Sequence, residues 1–164
     1  MNPDEQALAG VIRALDLLAI PYMVTGSVAS SYHGRPRATH DADIVIDPAP
    51  DQLERLVLGL AAAGFYVDQE TARDALRRRL QFNVIETGSA CKIDLIICKQ
   101  RPFSREELAR RRPAQLPLGV AAMATPEDTI LSKLEWSRKA GGSEKQIGDA
   151  AAGVLELNPQ LDRA

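Results

Sequence analysis

The stretch Tyr22-Met-Val-Thr-Gly-Ser27, followed after thirteen residues by Asp41-Ala-Asp43-Ile-Val-Ile46, decides how the chain is read. The first segment is a short apolar strand running into a Gly-Ser turn. The second sets two carboxylates two residues apart in a β-branched strand, where aspartate is disfavoured. Strand side chains repeat every second residue, so Asp41 and Asp43 leave one face about 7 Å apart at Cα. Carboxylates that close repel unless a cation lies between them, and a divalent metal with oxygen ligands is the natural resolution. A sheet edge whose acids simply face water is the plain alternative.

A third carboxylate weighs against that alternative. Asp94 lies inside Lys92-Ile-Asp94-Leu-Ile-Ile97, again an acid within an apolar strand. Two such strands imply one shared acidic face. Three carboxylates are enough to hold two divalent ions and to accept a proton from an attacking hydroxyl. Gly26 lets the backbone come close to a ligand, and a helix starting there would point unpaired N–H groups at it. The Ser27 hydroxyl can donate to a terminal phosphate. A Gly-Ser pair alone is more often just a turn; upstream of Asp-x-Asp at this spacing it becomes specific.

On these residues the chain resembles the DNA polymerase β-like nucleotidyltransferase superfamily. It looks closest to short bacterial minimal nucleotidyltransferases, including those of toxin–antitoxin pairs. The wider stretch Arg35-Pro-Arg37-Ala-Thr39-His-Asp41 and the downstream Thr125-Pro-Glu-Asp128 to Lys133-Leu-Glu135 share the likeness, which runs roughly from Tyr22 to Leu157. Ala42 departs from it, being smaller than the bulky apolar residue often found between the acids. The resemblance implies that Asp41 and Asp43 bind Mg²⁺, two ions in all, and that Asp94 completes the metal site and acts as base. It also implies that Gly26 and Ser27 hold the phosphates of an NTP, ATP above others. Arg37 and Lys133 are further candidates for the triphosphate, each weighed against a plain surface role. The implied reaction is NMP transfer to a hydroxyl acceptor, in a toxin–antitoxin setting with a cognate toxin or antitoxin protein. A non-catalytic module that binds a partner or RNA on the same fold is the alternative.

Around these motifs the pattern predicts an α/β (α+β) fold: a mixed sheet of the nucleotidyltransferase type with flanking helices and a C-terminal helical pair. Asn2, Pro3, Asp4 and Glu5 signal the start of a first helix with an apolar stripe through Leu8, Val11, Ile12, Leu15 and Leu18. A second long helix carries Leu53, Leu56, Val57 and Leu60 and stops at Gly64. Strands are expected at 65–67, 81–86 and 91–98, the last two forming a hairpin, and an edge strand at 118–123. Helical pieces are expected at 28–32, 71–79 and 104–112. Thr125 caps a helix whose apolar face is Ile130, Leu131 and Leu134. Ser143 and Gln146 form a capping box for a last helix, on which Trp136 is expected to pack.

At 164 residues the chain is expected to be one domain, 1–164, with a sheet-containing core over 1–123 and C-terminal helices over 124–164. No apolar run approaches the roughly 20 residues of a membrane span. The acidic start Met1-Asn-Pro-Asp-Glu5 is unlike a secretory signal. Cys91 and Cys98 flank one strand on opposite faces, roughly 23 Å apart, so they cannot pair there. They fit a reduced, cytoplasmic protein. The net charge of −2 gives no general pull towards nucleic acid. With little chain left to close a pocket around a small molecule, the acceptor is expected on a macromolecule, a partner protein before tRNA. The triplets Arg77-Arg78-Arg79 and Arg110-Arg111-Arg112 are the counter-evidence, although such runs are usually solvated faces. His33 and His40 are isolated, and His40 is expected to leave the face opposite Asp41.

Overall fold

Helix α1 (Pro3–Leu17) begins with the capping signal read above: Glu5 N–H donates to Asn2 Oδ1 at 2.8 Å and Asn2 N–H donates to Glu5 Oε2 at 3.0 Å. In the computed structural model, which describes residues 1–35, 40–140 and 153–160, eleven further helices and strands follow as far as residue 123, with α6 and a short helical segment after it. They are β1 (Tyr22–Thr25), α2 (Gly26–His33), β2 (Asp41–Ile46), α3 (Pro50–Ala62), β3 (Phe65–Tyr66) and α4 (Gln69–Arg78). Next come β4 (Gln81–Glu86), β5 (Lys92–Ile97), α5 (Pro102–Arg110), β6 (Arg112–Leu116), β7 (Gly119–Met123) and α6 (Pro126–Ala140). Residues 153–157 are helical. Arg37, and the Ser143–Gln146 capping box, lie outside the described residues.

The seven strands form one mixed sheet in the order β3-β4-β5-β2-β1-β7-β6. The β4–β5 hairpin is antiparallel, as its turn implies, and β5 then runs parallel to β2. Period-two alternation splits the side chains between two faces. Val24, Ala42, Ile44, Ile46, Phe82, Val84, Ile93, Leu95 and Ile97 face the main core with the apolar stripes of α1 and α3. Each fully buried Leu or Ile side chain contributes about 1.5–3 kcal/mol, so this face fixes the register of the acid-bearing strands. A smaller cluster on the other face joins Met23, Val45, Cys98, Leu108 and Ala124. The acids share that second face.

The expectations for 118–123 and for the apolar face of α6 change. The 118–123 segment is not an edge: β7 pairs parallel with β1 and antiparallel with β6, and β6 forms the rim. Pro113 hid β6, because proline reads as a strand breaker yet is tolerated on an edge. Leu131 and Leu134 are half exposed, since α6 turns Asp128 and Thr129 inward instead. Trp136 is 68% exposed, and most of the last helix on which it is expected to pack lies outside the described residues. Both cysteines are free and buried, one in each apolar cluster, as the strand geometry required.

Candidate active site

Asp43 occupies the middle of a row that crosses three strands. The register sets Thr25 of β1 opposite Asp43, and Asp43 opposite Asp94 of β5. Asp41 lies one pleat further out on the same face, opposite Lys92, and is exposed. Burial pushes the Asp43 carboxyl above its ordinary value, and the neighbouring Asp94 and Asp41 charges push it the same way. Lys92 and Lys133 act against them. Lys133, on α6, is therefore electrostatically coupled to Asp43.

Gly26 makes the site compact. It has a φ of +62°, in the left-handed region that favours glycine, and a Cβ there would collide with the Asp43 carboxylate. The bend it permits starts α2 directly against the acids. No side chain caps the Thr25 end of α2, so its first N–H groups are available to a ligand. Ser27 follows immediately and is exposed.

Asp94 carries the most telling feature. Its Oδ2 lies 3.7 Å from Lys92 Nζ, while its Oδ1 is buried with no hydrogen-bond partner. A buried acceptor left unpaired costs about 1–3 kcal/mol, more when charged. The donor set is all carboxylate oxygen, which suits Mg²⁺. The three acids are nevertheless not drawn into a finished ligand set: among the described residues, no group of three or more His, Cys, Asp or Glu is gathered closely enough to hold a metal ion. Asp43 and Asp94 stand side by side on adjacent strands, and Asp41 lies one pleat further along β2.

Polar ties fix α6, and with it Lys133. Arg101 of α5 grips Glu135 through both oxygens at 2.7 and 3.0 Å, and Arg110 grips Asp128 at 3.0 and 3.0 Å. Between them Ser132 Oγ donates to Glu107 Oε1 at 3.0 Å. Asp128 N–H donates to Thr125 Oγ1 at 3.1 Å, the cap expected from sequence. On α2, the His33 imidazole contacts Ala124 O at 2.7 Å, and its pKa is lowered chiefly by burial.

The arginine triplets are largely occupied. Arg77 and Arg78 pair with Asp74; Arg79 donates to Cys98 O and meets Asp47; Arg111 donates to Leu108 O. His40 pairs with Asp4 at 3.0 Å, away from the acids. Sequence reading passed over Lys92, although a lysine two residues before an acid in one strand must share its face.

This is the nucleotidyltransferase fold, and the row of acids lies where β1 gives way to α2. Among solved structures, the chain is similar to ANT(2″)-Ia in complex with adenylyl-2″-tobramycin, at 12% identity and a TM-score of 0.65 over 94% of this chain and 89% of that one. It is similar to an antigenic nucleotidyltransferase-like protein from Paracoccidioides brasiliensis, at 18% identity and a TM-score of 0.65 over 100% and 80%. A lincomycin-bound lincosamide antibiotic adenylyltransferase, LnuA, matches at 7% identity and a TM-score of 0.62 over 93% and 96%. No protein-family model matches the sequence, and no curated protein matches it. At these identities the likeness concerns the fold.

Proposed function

We propose that the protein is a Mg²⁺-dependent nucleotidyltransferase that moves the NMP of an NTP, ATP above others, to a hydroxyl with release of pyrophosphate. The observation that carries this reading is the buried, unpartnered Oδ1 of Asp94 beside Asp43, whose own neighbour across the strand junction must be glycine. Asp43 and Asp94, with Asp41 drawn in, are the residues that would hold Mg²⁺, with room in the chemistry for two ions. Bound Mg²⁺ would neutralise triphosphate charge and lower the pKa of the acceptor hydroxyl.

The chain's own residues then orient the reaction. Gly26 admits the triphosphate to the open end of α2, where backbone N–H groups and the Ser27 hydroxyl hold its terminal oxygens. Lys133 adds positive charge from α6, and Arg37 is the second cationic candidate. Asp94 accepts the proton of the attacking hydroxyl. Such a site works by positioning and charge neutralisation.

The acceptor hydroxyl belongs to a macromolecule, a protein before tRNA. Supporting this, a groove of about 510 Å³ lined by Asp16, Tyr22 and Arg111 lies at the far end of β1 from Gly26, away from the acids. The arginines that could have bound RNA are mostly paired. A cytoplasmic toxin–antitoxin pair with a cognate protein partner is the setting that fits. No helix among the described residues is long and apolar enough to cross a membrane. A small hydroxylated antibiotic is the second reading, favoured by the ligands in the ANT(2″)-Ia and LnuA structures.

Incubation with Mg²⁺, each labelled NTP and fractionated cell lysate tests the proposal. Label in the protein fraction supports it; label confined to RNA or to small molecules corrects the acceptor. No label in any fraction returns the chain to a non-catalytic binding role.

A further inference from the structure

Lys92 is a cation set among acids. The register places it opposite Asp41 and places Asp94 opposite Asp43, so these four residues mark the corners of one block on a single sheet face. At Cα the block measures about 4.8 Å between strands and about 7 Å along them. Three corners are carboxylates and the fourth is an ammonium. On the other flank of β5, β4 sets the uncharged Asn83 opposite Asp94 and Ile85 opposite Lys92, so neither adds a charge from that side.

The Lys92 contact is built differently from the ion pairs that hold α6. Arg101 meets Glu135, and Arg110 meets Asp128, each through two hydrogen bonds of 2.7 to 3.0 Å. Lys92 Nζ stands 3.7 Å from Asp94 Oδ2, beyond hydrogen-bond reach, and leaves the buried Oδ1 without a partner. The ammonium therefore lends Asp94 a charge without satisfying it. Lysine suits a contact that must be released. It is a compact point charge on a flexible stem, whereas the planar fork of arginine would lock onto the carboxylate. The Asp94 side chain is 13% exposed and that of Lys92 is 40% exposed, so the ammonium has solvent beside it to turn into.

We propose that Lys92 is a stand-in cation, whose ammonium neutralises the acidic row in the metal-free protein and must withdraw from Asp94 when a divalent ion binds there. This rests on the metal-dependent reading of the site. A divalent ion and an ammonium drawn to one carboxylate repel each other, so the ion binds only as the ammonium swings away. Lys92 thus lowers the affinity for free metal and favours metal that arrives with the negative charge of a triphosphate. In the metal-free protein the same charge holds down repulsion among the acids, an influence that reaches Asp43 as well. Its effect has opposite signs in the two states: it stabilises the protein without metal and opposes the metal-loaded form. A role in packing alone would act with one sign in both.

The test uses the full chain without nucleotide, reading Mn²⁺ binding by electron paramagnetic resonance and the melting temperature with and without saturating Mg²⁺. Lys92→Met keeps the apolar stem and removes the charge, Lys92→Arg keeps the charge, and Asp43→Asn reports whether the ion sits at the acids. Releasing a pair of this exposure is worth about 1.5- to 5-fold in a binding constant, so Lys92→Met should bind Mn²⁺ more tightly by at least that range. It should also melt lower than the wild type without metal and gain more from Mg²⁺. Lys92→Arg should bind Mn²⁺ no more tightly than the wild type, and Asp43→Asn should lose the uptake. Should Lys92→Met fail to fold, Lys92→Gln carries the same test. Mn²⁺ affinity that is unchanged or weaker in the uncharged variant, or an equal loss of melting temperature with and without metal, would overturn the stand-in role and leave the metal-dependent reading in place. Uptake absent from both the wild type and Lys92→Met, or uptake that survives Asp43→Asn, would remove the metal-dependent reading and the stand-in role with it.

Discussion

Gly26→Ala isolates the contact on which the site depends. Two effects follow from the structure. Alanine at a φ of +62° pays the left-handed penalty of about 1–2 kcal/mol. At about 2–4 °C per kcal/mol for a chain of this size, the melting temperature should fall by about 2–8 °C. The added methyl also overlaps the Asp43 carboxylate, which must rotate out of line with Asp94. A misplacement on the order of 1 Å costs about 100-fold in rate, so transfer should fall by at least that much. Gly59→Ala is the matched control. Gly59 lies in the exposed interior of α3 with nothing within 4 Å of an added Cβ, and the change should stabilise by about 0.5–1 kcal/mol with activity intact. Thermal unfolding and transfer rates of the two variants check both signs. A Gly26→Ala protein as stable and active as the wild type would refute the reasoning.

Asp43→Asn should abolish transfer in a folded protein and, with metal removed, should melt higher than the wild type, because a buried charge beside Asp94 and Asp41 is gone. Ser27→Ala should be milder than Asp94→Asn in steady-state kinetics: one hydrogen bond to a charged phosphate is worth about 1.5–3 kcal/mol, whereas losing a ligand can lose the ion. Glu107 is held above its ordinary value of 4.5, chiefly by burial, so its ionisation opposes folding above that pH and not below it. Glu107→Gln should therefore raise the melting temperature near neutrality, and the gain should vanish below about pH 4.5 as the wild-type group protonates in both states. Glu135 is the reverse case, held at about 2 mainly by Arg101: its contribution is present above 4.5 and lost as pH falls towards 2. Arg101→Ala should flatten that acid limb in pH-dependent unfolding, by up to about 1 kcal/mol for so exposed a pair.

The acids were legible because aspartate inside a β-branched run contradicts local preference, and only a second requirement explains it. Gly26 was legible for the same kind of reason, since its position before a helix and upstream of the acids gave the turn a purpose. Strand pairing was less so. Nothing local says that β5 sits between β4 and β2, or that β7 joins β1, because such neighbours are chosen by long-range packing. Pro113 concealed β6, and the apolar run Ile130, Leu131 and Leu134 suggested a buried face that α6 in fact turns half towards solvent. Asn83 left no trace in the sequence: a polar residue on an outward strand position reads as solvated, and its place opposite Asp94 exists only once the hairpin is closed.

The most direct measurement compares ATP labelled at the α-phosphate with ATP labelled at the γ-phosphate, in Mg²⁺, for the wild type and Asp43→Asn. NMP transfer predicts acceptor label from the α position alone, dependent on Mg²⁺ and absent in the variant. Label arriving from the γ position, no label from either, or transfer that survives Asp43→Asn would contradict it.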